Sequence, residues 1–292
     1  MSEGLRYQVV VTGSNGQLGR ELASLAQDHP RFHFTFLSRE DFPLQDAGKI
    51  VRWLDTNPID LFIHGAAYTA VDKAESEKEM ALLINATATG LIASHLAKKQ
   101  AKLIYISTDY VFDGLSSSPL TEESPTDPIN WYGFTKREGE KLALQNNPKS
   151  MVIRTSWLYS PYGQNFVKTM MRLMKERPTL KVVRDQMGSP TYAADLAAGL
   201  LQILESDKFE PGIFHYSNEG EISWYDFALE IKRLMGTPCE VLPIPSDDYP
   251  TAARRPGYSL LDKSKIKKVY GLSIADWKTS LALCMERINR GV

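Results

Sequence analysis

The 292-residue chain has only two cysteines, Cys239 and Cys284, with no CxxC pair and no histidine at metal-ligand spacing beside either. That argues against a disulfide framework or a cysteine-based zinc site and fits a reducing, cytoplasmic setting. Neither charge is in excess: 34 Lys and Arg stand against 35 Asp and Glu, a net charge of -1, and no basic block occurs. Nucleic acid is therefore not an expected partner. No apolar run approaches the roughly 18–20 residues of a membrane helix. Residues 1–7 lack an apolar leader core, so neither a membrane nor export is expected. Repeats and low-complexity tracts are missing as well. What remains is an ordinary globular composition, 43% hydrophobic and 24% charged, long enough for one large domain or a large one with a small companion.

Apolar β-branched runs alternate with stretches of helical spacing through the first 160 residues. Strands are predicted at 7–12, 32–37, 61–64, 102–107 and 151–155, with helices at 17–26, 47–54, 80–99 and 132–144. Strands separated by helices imply right-handed βαβ crossovers, hence an α/β, Rossmann-type doubly wound parallel sheet. The strands lack clean polar alternation, as expected of a sheet covered on both faces. After Ser160 the elements shorten and Gly and Pro punctuate them, with helical pieces at 166–175, 194–205, 224–234 and 274–289. The chain thus divides into a nucleotide-binding unit, 1–160, and a smaller mixed α/β lobe, 161–292, that does not fold by itself and leaves open the return of some elements to the main sheet.

Between the first strand and first helix runs Thr12-Gly13-Ser14-Asn15-Gly16-Gln17-Leu18-Gly19. Gly13 lets the chain turn off the strand, Gly16 allows backbone to approach a pyrophosphate, and Gly19 lets the helix pack tightly on the sheet. Phosphates sit well at such a helix N-terminus, where free N–H groups and the dipole favour anions. The spacing is G-x-x-G-x-x-G rather than the commoner G-x-G-x-x-G, and a glycine-rich structural turn is the bland alternative. At the end of the second strand, where an NAD enzyme usually carries an acid, Ser38 is followed by Arg39, Glu40 and Asp41. Arg39 suits a 2′-phosphate and favours NADPH, while the two acids keep NADH open.

Tyr132 and Lys136 lie at i and i+4 of a predicted helix, on one face. Ketone reduction needs a proton for the developing alkoxide, and a free phenol, with a pKa of about 10, is sluggish near neutrality. An adjacent ammonium is expected to lower that pKa. Just past the fourth strand, where ligands of a parallel sheet bind, stand Ser107 and Thr108. Either hydroxyl could polarise a carbonyl; Thr108 is the favoured one, and a hydroxyl strand cap the alternative.

These residues resemble the extended short-chain dehydrogenase/reductase superfamily and, within it, the chain is similar nearly end to end to the dTDP-4-dehydrorhamnose reductase family. The closer likeness rests on the glycine loop, AAYTAVDKAE at 66–75, STDYVFDG at 107–114, the Tyr132/Lys136 pair and RTSWLY at 154–159. It continues in NFV at 165–167, DQMGSPT at 185–191 and RPGYS at 255–259. The resemblance implies reduction of the C4 ketone of dTDP-4-dehydro-6-deoxy-L-mannose by NADPH or NADH. It makes Tyr132 the proton donor, Lys136 its activator and ribose ligand, and Thr108 the group that polarises the ketone. It places Asn15, Gly16, Gln17, Leu18, Ser38, Leu44, Ala66, Ala67 and Tyr68 along the cofactor. Asn85 either holds the cofactor-side backbone or is an ordinary buried polar residue. Thr69, Val71, Asp109 and Trp157 fall to the sugar nucleotide, with a core aromatic as the alternative for Trp157. Asn165, Lys168, Gln186 and Arg255 are candidates for the diphosphate or, equally, structural residues.

The sequence departs from the family pattern at Pro43, where some relatives have an acid beside the adenine. Some relatives are dimers bridged by magnesium; Glu21 and Asp195 match part of such a cluster, but Ala194 stands where a further acid would be, so no metal is expected to be required. A homodimer remains open. The nearest rivals are another nucleotide-sugar 4-ketoreductase and a 4-epimerase. A 4,6-dehydratase would carry Asp-Glu after the threonine, whereas this chain reads Thr108-Asp109-Tyr110. A non-catalytic regulatory subunit, like the β subunit of methionine adenosyltransferase, is the alternative from outside the enzymes.

Overall fold

The computed structural model describes residues 7–206 and 208–291; Met1–Arg6, most of the segment read as lacking a leader, lie outside them. The first half of the chain forms β1 (Tyr7–Thr12), α1 (Gln17–Leu25), β2 (Phe32–Leu37), α2 (Ala47–Thr56), β3 (Leu61–His64), α3 (Val71–Ala74), α4 (Lys78–Leu82), α5 (Ala88–Lys98), β4 (Lys102–Thr108), α6 (Trp131–Asn146) and β5 (Ser150–Thr155). Successive side chains of a strand point to opposite faces, and the core divides accordingly. Val9 and Val11 of β1 face a layer built with Leu22, Leu196 and Leu200. Val10 faces the other layer with Ile50, Leu54, Ile92 and Leu96. Each such side chain, fully buried, contributes about 1.5–3 kcal/mol, which is why the strands are apolar on both sides.

The second half adds β6 (Leu158–Tyr159), α7 (Phe166–Glu176), β7 (Thr179–Val183), β8 (Met187–Gly188), β9 (Thr191–Tyr192), α8 (Ala193–Glu205), β10 (Gly212–His215), β11 (Ile222–Ser223), α9 (Trp224–Met235), β12 (Glu240–Ile244), α10 (Ser264–Tyr270) and α11 (Trp277–Asn289). The main sheet is parallel throughout, in the order β2-β1-β3-β4-β5-β10. Its direction of growth reverses between β1 and β3, the switch point outside which ligands bind. The sixth strand, β10, therefore returns from beyond residue 160 to pair with β5, and α8 packs on the same face as α1. A separate apolar cluster, including Val167, Met171, Phe227, Trp277 and Leu281, fills the space among α7, α9 and α11.

Three local departures from the sequence reading have physical causes. The last helix starts at Trp277 rather than 274, because Glu219 pairs with the extended backbone of Ala275 and Trp277 before Asp276 caps the helix. Helix α10 carries no strong sequence signal and ends in a left-handed Gly271. The membrane expectation needs amending too. The continuous helix Lys78–Lys98 has 21 residues with a mean hydropathy of 1.4 in its most apolar window, enough to span by length and composition, but half of that window is buried inside the protein. Its middle, Leu83–Thr87, is a π-turn, a rare form that concentrates near functional sites.

Candidate active site

The glycine loop closes the first β–α junction by backbone alone. Gly13 has φ +78°, and its carbonyl accepts from Gly16 N at 2.9 Å. A Cβ on Gly19 would overlap the Gly13 carbonyl and lie 2.7 Å from Ser14 Cα. Gly19 thus lets α1 pack against the loop itself rather than, as expected from sequence, against the sheet. A cleft of about 600 Å³ opens above the switch point, lined by Gly13, by the loop from Asn15 to Gly19 and by Ser38, Arg39, Leu44, Ala66, Ala67 and Thr69. A backbone cradle whose Gly13 and Gly19 leave no room for a Cβ, at the N-terminus of a helix, is what a dinucleotide pyrophosphate requires; the residues fit the cofactor that the sequence implies.

Ser38 and Asp41 close a tight turn at the end of β2. Ser38 N donates to Asp41 Oδ2 at 3.0 Å and Asp41 N to Ser38 Oγ at 3.3 Å. The aspartate is thereby committed to the turn, and Arg39 is left exposed on the rim of the cleft. Asn85, in the π-turn, spends its amide on structure: Oδ1 accepts from Tyr68 N at 2.8 Å, and Nδ2 donates to Tyr68 O at 3.1 Å and Thr135 Oγ1 at 3.0 Å. It stitches the loop after β3 to α6. The Tyr68 hydroxyl turns outward to Glu77 at 2.6 Å.

Helix α6 begins at Asn130, whose side chain accepts from Gly133 N at 2.8 Å. Gly133 is needed there, since a Cβ would overlap the Tyr110 carbonyl. This close contact sets Tyr132 against the turn after β4, where its ring meets Tyr110 edge-on at 5.8 Å. Ser107 and Thr108, equivalent in sequence, are separated by the fold. Ser107 points inward and donates to Glu140 Oε1 at 2.5 Å. Thr108 caps the turn Asp109–Val111, accepting from Tyr110 N at 3.2 Å and donating to Asp109 Oδ1 at 3.1 Å. Asp109 is buried, its Oδ2 has no partner, and burial raises its carboxyl to about 6.

The electrostatics differ from the expectation that Lys136 lowers the Tyr132 pKa. Burial raises the phenol above its ordinary value, and a hydrogen bond with Thr108 only partly opposes it. Lys136 is itself buried. Its Nζ donates to Ile106 O at 2.7 Å and lies 4.0 Å above the Tyr105 ring. Burial lowers its pKa to about 7, against the pull of Glu140. The phenol therefore keeps its proton at neutral pH, while the lysine titrates there. Sequence reasoning missed Tyr105, whose hydroxyl donates to Asn85 O at 2.9 Å and secures the π-turn, and the Glu140–Arg154 pair behind the site; the charge of Arg154 inside the otherwise uncharged, fully buried β5 was the signal available.

The second-lobe candidates are mostly engaged within the protein. Asn165 caps α7 through Lys168 N at 3.1 Å and donates to Gln17 Oε1 at 2.8 Å. Gln17 also reaches Leu158 O at 3.2 Å, so it ties the glycine loop both to β6 and, through Asn165, to the second lobe. Lys168 Nζ donates to Pro161 O at 3.0 Å, and Gln186 to Ser246 Oγ at 3.0 Å. Arg255 makes a two-pronged pair with Asp72 of α3, at 3.0 and 2.7 Å. Val71 opens α3 and is half-exposed, and Thr69 is exposed. Trp157 stands just past β5, half-buried, with φ +46°. The partial magnesium set does not suit a metal: both Glu21 oxygens accept from Arg287, at 3.1 and 2.9 Å, and Asp195 Oδ2 accepts from Asn218 at 2.6 Å and Ser280 at 2.5 Å.

Fold and site together place the chain among the NAD(P)-dependent extended short-chain dehydrogenase/reductases. Comparison with known proteins narrows this. The chain belongs to the family of the RmlD substrate binding domain, the dTDP-4-dehydrorhamnose reductases, which it matches over residues 7–290. It is 39% identical over 285 residues to the dTDP-4-dehydrorhamnose reductase of Aggregatibacter actinomycetemcomitans, covering 94% of this chain and 97% of that one. Among solved structures it resembles the Clostridium acetobutylicum enzyme of that name with a TM-score of 0.93 and 37% identity, over 97% and 99% of the two chains. The Bacillus anthracis enzyme, determined in complex with NADP, gives a TM-score of 0.91 and 35% identity, over 97% and 100%.

Proposed function

We propose that the chain reduces the C4 ketone of dTDP-4-dehydro-6-deoxy-L-mannose to dTDP-L-rhamnose, with NADPH as preferred reductant and NADH as a second one. The observation that carries this is the meeting of Tyr132, Thr108 and Asp109 outside β4, beside the glycine-loop cleft, in a chain of this family. The bound nicotinamide supplies the hydride. Thr108 donates to the C4 carbonyl oxygen as charge grows on it. Tyr132, which burial keeps protonated, gives its proton to that oxygen. Lys136, held by Ile106 O and the Tyr105 face, stabilises the phenolate left behind. The uncommitted Oδ2 of Asp109 accepts from a sugar hydroxyl. Gly13, Asn15, Gly16, Gln17, Leu18 and Gly19 cradle the pyrophosphate, Ser38, Arg39 and Leu44 take the adenosine end, and Ala66, Ala67 and Tyr68 line the middle. Thr69, Val71 and Trp157 border the sugar nucleotide. Arg255 reaches its diphosphate by exchanging Asp72 for phosphate, whereas Asn165, Lys168 and Gln186 act by holding the second lobe in place. The division at residue 160, a homodimer and a cytoplasmic location belong to the same proposal, the last supported by two buried free cysteines.

The test is NADPH oxidation in the presence of the ketosugar. An epimerase would interconvert sugars without net NADPH loss, and a regulatory subunit would turn over none; either result overturns the proposal. Two further outcomes are expected. Arg39→Ala should raise the KM for NADPH roughly ten- to hundredfold, the worth of a charge-assisted bond, and leave that for NADH within about twofold. Equal changes for both would place the 2′-phosphate elsewhere. The second concerns pH. Because kcat/KM reports the free enzyme, its value for NADPH should fall on the alkaline side with an apparent pKa near the 7 of Lys136. Glu140→Gln removes a charge that favours the ammonium, so the limb should move to lower pH. A limb that stays in place would belong to another group.

A further inference from the structure

Trp157 is a bulky residue in the left-handed backbone region, φ +46°, where side chains other than those of Asn and Asp are uncommon. Such conformations persist only where the surroundings impose them. Here the surroundings are specific. Ser156 Oγ donates to Ser189 O at 2.6 Å, and Trp157 O accepts from Thr191 N at 3.3 Å, so the backbone is fixed on both sides. The indole lies parallel to that of Trp224, with centroids 3.7 Å apart and planes 14° from parallel. Trp224 is itself immobilised. It is the first residue of α9, directly after the reciprocal Ser223–Asp226 cap, and Phe166 covers it at 4.6 Å. At its edge, Gly188 makes room for the ring: a Cβ there would come within 3.0 Å of Trp157 Cζ2 and 3.1 Å of Ser259 Oγ. Ser259 in turn sits beside Asp109, the neighbour of Thr108, and opposes the rise that burial imposes on its carboxyl. Trp157 thus lies next to Gly188 and Ser259 on the side of the fold that holds Asp109, and one of its faces is covered while the residue stays half-exposed.

We infer that Trp224 is a positioning residue for substrate: it holds Trp157 in its strained conformation so that the free indole face forms the wall on which the C–H face of the sugar ring packs. The inference rests on the proposed ketosugar reduction. An aromatic face offers a pyranose a large apolar contact at little entropic cost, but only if the ring is held in advance. Trp224 does not reach the reacting atoms, so its loss should weaken substrate binding and spare the chemical step.

In Trp224→Ala, the KM for dTDP-4-dehydro-6-deoxy-L-mannose should rise about tenfold, with kcat lowered less than about threefold and the KM for NADPH unchanged. Trp224→Phe keeps a stacked face and should restore KM to within about threefold. Gly188→Ala pushes the indole from its other edge with Trp224 intact, and should raise the same KM several-fold; it decides the matter if Trp224→Ala does not fold. An unchanged sugar KM in both Trp224→Ala and Gly188→Ala, or a parallel rise for NADPH, overturns the inference. A wild-type enzyme that oxidises no NADPH with the ketosugar overturns the reductase reading instead. The wall is then still read without turnover, from the near-ultraviolet circular dichroism change of the stacked indoles on adding dTDP-rhamnose, expected in wild type and absent in Trp224→Ala; no change in wild type would overturn it.

Discussion

Tyr132→Phe should lower kcat for ketosugar reduction by two to four orders of magnitude, the usual range for losing a positioned proton donor, while the dissociation constant for NADPH stays the same. The substitution removes one oxygen and keeps the ring, so the edge-on contact with Tyr110 survives. The N-terminal cap of α6, made by Asn130 to Gly133, does not involve the phenol either. Folding should therefore be unaffected. Thr108 would still meet the ketone oxygen through a single donor, leaving residual catalysis from electrostatics and binding. The kinetic signature matters as much as the size: kcat and kcat/KM should fall together, because the proton is transferred only in the transition state. A raised KM with kcat intact would make Tyr132 a binding residue, and activity that survives the change would move the proton donor elsewhere, with Asp109, whose carboxyl titrates near 6, the first candidate.

The sequence was most informative where one local signal determined the outcome. Strand β1, the glycine loop and α1 follow from an apolar run, three glycines and a leucine stripe, and no distant residue could rearrange them. The helical spacing of Tyr132 and Lys136 was equally legible, but its electrical consequence was not. That depends on Ile106 and Tyr105, brought under the lysine by the β4–α6 crossover, and on a burial that no spacing reveals. Ser107 and Thr108 look alike as a dipeptide; strand alternation sends one toward Glu140 and leaves the other at the cleft. The second lobe was least legible. Its two-residue strands β8, β9 and β11, like β6 just before it, are too short to carry a period. Its polar residues could equally have been ligands or struts. Asn165 resolves as a strut because its amide is shared between a helix cap and Gln17, a partner 148 positions away.

The buried pair behind the site should be as costly to break for the fold as Tyr132 is for the reaction. Arg154 of β5 donates to Glu140 of α6 through Nε at 2.9 Å and Nη2 at 2.7 Å, and both side chains are almost wholly enclosed, at 3% and 4% exposure. Ser107 adds a third donor to the same carboxylate, and Phe112 lies 5.1 Å from the guanidinium. Glu140→Ala leaves a guanidinium in the interior without its counter-charge, beside His215, held neutral by a pKa near 3, at 3.5 Å. Removing one partner of such a pair costs about 3–5 kcal/mol, against roughly 5–15 kcal/mol for a whole domain. For a chain of this size that corresponds to a fall in Tm on the order of 10 °C. The double replacement Glu140→Leu with Arg154→Met removes both charges, and should recover most of that loss in thermal unfolding. It should not recover catalysis, since Glu140 lies one turn beyond Lys136 and its charge favours the ammonium. A double variant as unstable as Glu140→Ala would mean that packing around Phe112, not charge, holds β5 to α6. A double variant with full activity and an unshifted alkaline limb would disconnect the pair from Lys136.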